Sequence, residues 1–251
     1  MEILKCKRID LYLKFDQPLK SNEVDLYREW IARRGKFEPL QYIIGKVEFF
    51  GVMFKVTPDV LIPRPETEIL VETVIDNHKA SGNISVLDIG TGSGCIAVAV
   101  VKNIENCVML GLDISEKALA VARENSENNG TADKVKWVHG DIGSVTFDER
   151  FDIVISNPPY VGAEEFATLQ KEIIGYEPAA AVTDNNDGLE YYSMISKRLK
   201  ELVKPGGKIY LEVGHGQVEK VSRILQQNGI SEIKTVKDLQ NIERVITGVF
   251  K

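Results

Sequence analysis

Two short stretches of this 251-residue chain hold residue types that could do chemistry. The first is Asp88-Ile89-Gly90-Thr91-Gly92-Ser93-Gly94, set between a strand-like run (Ile84–Ile89) and a helix-like one (Gly94–Asn103). Its glycines permit a tight turn and close backbone approach, and the N–H groups that open a helix face an anionic or polar ligand. Asp113 follows nineteen residues after Gly94, at the end of the next strand, Val108–Asp113. A carboxylate there can accept both ribose hydroxyls of a nucleoside cofactor. The plainer alternative is a structural turn with a capping aspartate, and the strand–turn–helix–strand–Asp order weighs against it. The second stretch is Asn157-Pro158-Pro159-Tyr160, directly after the strand Phe151–Ser156. Its two prolines fix the backbone and remove two amide donors. The Pro158 carbonyl and the Asn157 side chain can then converge on the strand end. An Asn-Pro turn is common in itself, but beside the glycine turn at one edge of a parallel sheet it marks a site.

The elements that must carry these residues alternate from Ile84 onward. The strands above are joined by Val135–His139 and Lys208–Val213, and Glu232–Val236 and Val245–Phe250 close the chain. Between them fall a helix capped by Ser115 with Ala118, Leu119 and Ala122 inward, and a helix over Leu189–Val203 with Tyr192, Ile195, Leu199 and Leu202 on one face. The latter is stopped by Pro205-Gly206-Gly207, and Gln217–Gln227 is a further helix. Such alternation implies an α/β fold, a doubly wound and largely parallel sheet with helices on both faces. The two final strands suggest an antiparallel edge. At the front, Asn22 or Ser21 can cap a helix carrying Val24, Tyr27, Trp30 and Ile31. Glu48–Val56 reads as a hairpin or bent strand turning at Gly51, and Pro58–Pro65 as a linker. Residues 158–187 form a connection of about 30 residues, long enough to be a lid or binding loop, with a short helix around Phe166–Ile174.

The GxGxG turn after an acidic residue places Cys95 where a dinucleotide fingerprint wants glycine or alanine. It resembles instead the first motif of class I methyltransferases, which bind S-adenosylmethionine (SAM) and release S-adenosylhomocysteine. The resemblance implies that Gly90, Thr91, Gly92, Ser93 and Gly94 pack against the methionine portion and that Asp113 holds the ribose. It also implies that Asp141 contacts the adenine, with Ile142 beside the ring and Asn157 completing the cofactor site. Asn157–Tyr160 resembles the NPPY motif of methyltransferases that alkylate planar nitrogens, which implies catalytic and substrate-binding roles for Asn157, Pro158, Pro159 and Tyr160. A planar nitrogen is a poor nucleophile because its lone pair is delocalised. Asn157 Oδ1 and the Pro158 carbonyl can accept its two hydrogens and turn the lone pair toward the sulfonium methyl, which is catalysis by orientation. Tyr160 can pack on the planar group. The alkylated nitrogen sheds its proton readily, so neither a strong base nor a metal is expected.

A closer resemblance runs along nearly the whole chain. Glu38-Pro39-Leu40-Gln41-Tyr42-Ile43, Glu48-Phe49-Phe50-Gly51, Leu61-Ile62-Pro63-Arg64-Pro65-Glu66-Thr67-Glu68, NPPY, Glu177-Pro178, Asp187-Gly188-Leu189 and Glu243-Arg244-Val245 occur in that order. Together they resemble the PrmC/HemK family, whose members methylate the glutamine side-chain amide (N5) in the GGQ motif of class 1 peptide chain release factors. The resemblance implies a seven-stranded, Rossmann-like catalytic domain over 63–251, a hairpin linker over 46–62, and a partial N-terminal helical substrate-recognition domain over 1–45. Thr67 is expected to cap the helix after the linker and to border the SAM pocket. The chain starts late in the family's helical domain, as a short or truncated member would. Asn185-Asn186 departs from the Gly-Gly pair usual there, which leaves the loop's conformation open.

Composition narrows the alternatives. A net charge of −6 argues mildly against a broad phosphate-binding surface. It therefore weighs against a nucleic-acid methyltransferase acting on adenine N6 or guanine N2, the runner-up reading, and no direct nucleic-acid partner is expected. A non-catalytic SAM-binding module is the third reading and leaves NPPY unexplained. Cys6, Cys95 and Cys107 read as reduced, buried thiols, and no metal-ligand spacing appears among the three histidines. The longest apolar run, Cys95–Val101, is too short to cross a bilayer. With no signal-peptide pattern at the N-terminus, a cytoplasmic protein without membrane partners is expected.

Overall fold

The computed structural model describes all 251 residues. Three helices lead, α1 (Arg8–Leu13), α2 (Ser21–Gly35) and α3 (Leu40–Ile44), followed by the hairpin strands β1 (Lys46–Phe49) and β2 (Val52–Lys55). The hairpin turns through Phe50 and Gly51, both with positive φ (50° and 69°), the condition for a two-residue turn that matches strand twist. No residue of α1 or α2 is buried, and Tyr27 and Ile31 stand more than half exposed. The expected Ser21 or Asn22 cap is not found. Ser21 is already helical, and Glu23 caps from inside the first turn by accepting the Lys20 N–H at 2.7 Å.

After the linker come α4 (Pro65–His78), β3 (Ile84–Ile89), α5 (Cys95–Asn103), β4 (Cys107–Asp113), α6 (Glu116–Asn128), β5 (Val135–His139) and β6 (Phe151–Ser156). The long connection holds α7 (Ala163–Phe166) and α8 (Lys171–Tyr176), two short helices where one is expected from the sequence. The chain ends with α9 (Glu190–Leu202), β7 (Val203–Glu212), α10 (Val218–Gln227), β8 (Ile230–Lys237) and β9 (Glu243–Phe250). The seven strands β3–β9 form one sheet in the order β5-β4-β3-β6-β7-β9-β8. The first five are parallel, and β9 lies antiparallel between β7 and β8.

Alternate side chains of each central strand enter opposite faces. Val86, Ile153, Ile155 and Tyr210 face α4, α5 and the hairpin residues Phe49 and Phe54. Leu87, Val154, Ile209 and Leu211 face α9 and α10. The four residues expected on the inner face of α9 are all fully buried, each contributing about 1.5–3 kcal/mol of transfer free energy. Pro205-Gly206-Gly207 does not end that helix. Val203 does, and the Pro-Gly-Gly segment lies inside β7, where the pairing with β6 slips between Phe151 and Ile153. Cys95 and Cys107 are buried free thiols, pushed up to about 12 by burial, whereas Cys6 is only half-buried.

Candidate active site

The chain runs outward from β3 through β4 to β5, then returns across β3 to begin the other half of the sheet at β6. β3 and β6 are therefore neighbours whose crossovers diverge, the place where open α/β sheets bind ligands. Ile89 pairs with Ser156, so the glycine turn and Asn157-Pro158 leave the same edge side by side. Ser156 Oγ donates to the Ile89 carbonyl at 2.7 Å and locks that edge.

Gly90, Gly92 and Gly94 all have positive φ (72°, 54° and 77°), a path that side chains with Cβ resist. Gly94 is also needed for space, since a Cβ there would sit 2.8 Å from the Trp137 ring. The turn is clamped from beneath. Thr91 Oγ1 donates to Asp88 Oδ2 at 2.6 Å, and Asn125 Nδ2 donates to the Ser93 carbonyl at 2.9 Å. Asp88 is fully buried with Oδ1 unpartnered. Burial pushes its carboxyl up to about 7 against the Thr91 hydrogen bond, and nearby Asp113 adds to the rise. Asp113 Oδ2 accepts from the Gly92 N–H (2.8 Å) and Oδ1 from the Ser115 N–H (2.9 Å). Burial raises its pKa as well, and those two N–H groups oppose the rise.

A cavity of about 290 Å³ opens at this edge. Gly90, Gly92, Asp113, Asp141, Ile142, Asn157, Pro158 and Pro159 all line it, as the sequence leads one to expect. Thr91, Ser93, Gly94 and Tyr160 do not. The first three face the turn's own packing. Tyr160 turns away, donating its hydroxyl to Glu212 Oε1 at 3.2 Å, rather than standing over the cavity. Thr67 does not line the cavity either, nor does it cap α4. Arg64 holds the cap position, and the Thr67 hydroxyl receives Asn157 Nδ2 at 3.0 Å. That bond leaves Asn157 Oδ1 free to face the cavity.

Three cavity walls come from segments the motifs do not mark. They are Asp59-Val60-Leu61 of the linker, Pro178, Ala180 and Ala181 of the long connection, and Tyr191, Met194 and Ile195 of α9. The connection is held in place by its own charges. The buried Glu177 accepts the Ile62 N–H at 3.1 Å and pairs with Arg64. Further out, Arg34 of α2 pairs with Glu172, and Tyr176 donates to the Lys36 carbonyl at 2.8 Å. Asn185 adopts φ +58°, so asparagine here fills a left-handed position that glycine would suit, one of few residues to tolerate it. Gly188 is positioned by contact, since a Cβ on it would lie 2.3 Å from the Tyr160 carbonyl.

This sheet order, with a glycine turn, an aspartate ending the neighbouring strand and NPPY at one edge, defines a SAM-dependent methyltransferase of the Rossmann-like class I type. Residues 65–184 match the methyltransferase small domain and residues 1–45 the PrmC N-terminal domain. A methyltransferase structure from Pyrococcus furiosus shares the fold, with a TM-score of 0.60 at 18% identity over 92% of this chain and 98% of that one. The release factor glutamine methyltransferase of Geobacter sulfurreducens is 42% identical over 98% of this chain and 85% of its own. That of Thermodesulfovibrio yellowstonii is 40% identical over 97% and 88%. The chain belongs to the release factor glutamine methyltransferase family.

Proposed function

We propose that this enzyme transfers the methyl group of SAM to the side-chain amide nitrogen of the glutamine in the GGQ motif of class 1 release factors. The observation that carries the reading is the placement of Asn157 and Pro158 at the mouth of the cavity, on the strand paired with the glycine turn. Family membership supplies the acceptor class. On this reading residues 1–45 serve release-factor recognition, 46–62 link, and 63–251 carry the chemistry.

The residues present fit the methyl donor. Asp113 keeps one unused lone pair on each carboxylate oxygen for two ribose hydroxyls. Ile142 and Leu112 offer apolar walls for the adenine, with Asp141 at their rim. Gly90 and Gly92 leave room for the amino-acid end. Bound there, the donor supplies an electrophilic methyl that forms a C–N bond as its C–S bond breaks, yielding S-adenosylhomocysteine and a proton.

Asn157 Oδ1 and the Pro158 carbonyl accept the two amide hydrogens, which fixes the plane of the amide and turns the nitrogen lone pair toward the cavity. Pro159 keeps the second carbonyl from rotating away. Thr91, Ser93 and Gly94 set the shape of the turn rather than line the cavity. No helix is long and apolar enough to cross a membrane. The test is a transfer assay with radiolabelled SAM followed by peptide mapping. Label on the GGQ glutamine is the expected result, and label entering only DNA or RNA refutes it.

A further inference from the structure

We propose that Phe37, just past the end of α2, is a positioning residue for the cofactor cavity: its ring seats α8, and α8 carries the wall formed by Pro178, Ala180 and Ala181. The inference rests on the reading of that cavity as the SAM site and adds a residue that lines none of it.

α2 ends in a left-handed turn. The Phe37 N–H donates to the Arg34 carbonyl at 2.9 Å and the Glu38 N–H to the Arg33 carbonyl at 3.4 Å, with Phe37 itself at φ +68°. Glycine is the usual residue at such a helix end, because a side chain with Cβ is strained there. An exposed phenylalanine in that place is an outlier that calls for a role. Its ring lies 4.8 Å from the ammonium of Lys171, the first residue of α8. Two further contacts join the same elements. Arg34 pairs with Glu172, and the Tyr176 hydroxyl donates to the Lys36 carbonyl at 2.8 Å. The corner after α2 therefore grips α8 at both of its ends.

Between α8 and the cavity there is no slack. The Glu177 N–H closes α8 on the Ile173 carbonyl at 3.1 Å, and the next residue, Pro178, is already cavity wall. The Ala181 N–H folds back on the Pro178 carbonyl, and those of Val182 and Thr183 on that of Ala179, each at 2.9 Å. The Val161 N–H, one residue past NPPY, donates to the Val182 carbonyl at 3.1 Å. A shift of α8 thus reaches the wall and the NPPY segment together. The front segment, whose assigned task is to meet the acceptor, also props one side of the cofactor site.

The test is Phe37→Gly, for which strain and support predict opposite signs. Relief of the strain should leave the melting temperature at or above that of the wild type. Loss of the ring should weaken SAM binding about two- to fivefold by calorimetry, the reach of an exposed cation–ring contact. It should also speed hydrogen exchange at Ala181, Val182 and Thr183 in the free protein. Phe37→Tyr, which keeps a ring beside Lys171, should match the wild type in affinity and exchange. Arg34→Ala added to Phe37→Gly should bring the loss of affinity to about tenfold. Wild-type affinity and exchange in Phe37→Gly overturn the proposal. So does a lowered melting temperature with exchange quickened along the whole chain, which would make the ring a structural support and no more. The exchange measurement needs no ligand, so it decides the seating of the wall even if the cavity proves not to take SAM.

Discussion

Replacing Asp113 by alanine tests the cofactor site at the point where geometry gives a magnitude. Two of the four lone-pair directions of the carboxylate are occupied by the Gly92 and Ser115 N–H groups, at 2.8 and 2.9 Å. The two that remain are the acceptors assigned to the ribose hydroxyls. A hydrogen bond to a charged group has a net worth of about 1.5–3 kcal/mol, so losing both removes roughly 3–6 kcal/mol. That corresponds to a Kd for SAM weakened by about 10²–10⁴-fold. The variant also releases two backbone donors at the cavity edge, where water can reach them, so the melting temperature should fall by only a few degrees. Calorimetric titration with SAM and with its 2′-deoxy analogue separates ribose recognition from general loosening. The wild type should prefer SAM, and Asp113→Ala should bind both equally weakly. A folded variant whose SAM affinity lies within about threefold of wild type, or which still discriminates the deoxy analogue, refutes the ribose assignment.

Asn157→Ala should lower the single-turnover rate by roughly a hundredfold or more while weakening SAM binding much less, because orientation of the acceptor is lost and most cofactor contacts are kept; near-normal turnover counts against it. Asp88→Asn should stabilise the protein increasingly as pH rises. The folded wild type keeps the Asp88 proton up to about pH 7, whereas the unfolded chain releases it near 3.8, so wild-type stability falls between those values. The gap approaches about 4 kcal/mol by pH 8, and urea denaturation showing a constant gap from pH 4 to 8 would sink this account. Gly188→Ala combines φ +78° with a Cβ 2.3 Å from the Tyr160 carbonyl. It should slow transfer by displacing the NPPY segment, and a crystal structure with that segment unmoved would contradict it.

The sheet was legible because its cues are local. Apolar runs such as Ile153-Val154-Ile155 suit strands covered on both faces, and the period of Tyr192, Ile195, Leu199 and Leu202 admits only a helix. The Pro-Gly-Gly segment misled because its turn chemistry also suits a strand irregularity, and only the pairing of β7 with β6 decides between them. The cap of α2 misled for a similar reason. The helix starts one residue earlier than the serine suggests, with Lys20 at the cap position, and Glu23 reaches back to its N–H.

At the site, the residues that line the cavity as expected are those whose placement follows from backbone position alone. Gly90, Gly92, Asp113, Asn157 and Pro158 stand at strand ends, so topology delivers them to one edge. The misread ones depend on a partner far away in sequence. Thr67 and Asn157 are 90 residues apart and Tyr160 and Glu212 are 52 apart, distances that no periodicity or spacing rule spans. The same holds for the wall formed by Pro178, Ala180 and Ala181. Its shape depends on Glu177, 115 residues from Ile62 and 113 from Arg64. One buried carboxylate thus ties the linker to the long connection, and both supply cavity walls. An aspartate there would be one methylene too short to reach the Ile62 N–H and Arg64 together. The connection is therefore less a free lid than a third wall, set by a charge pair whose two halves the sequence keeps far apart.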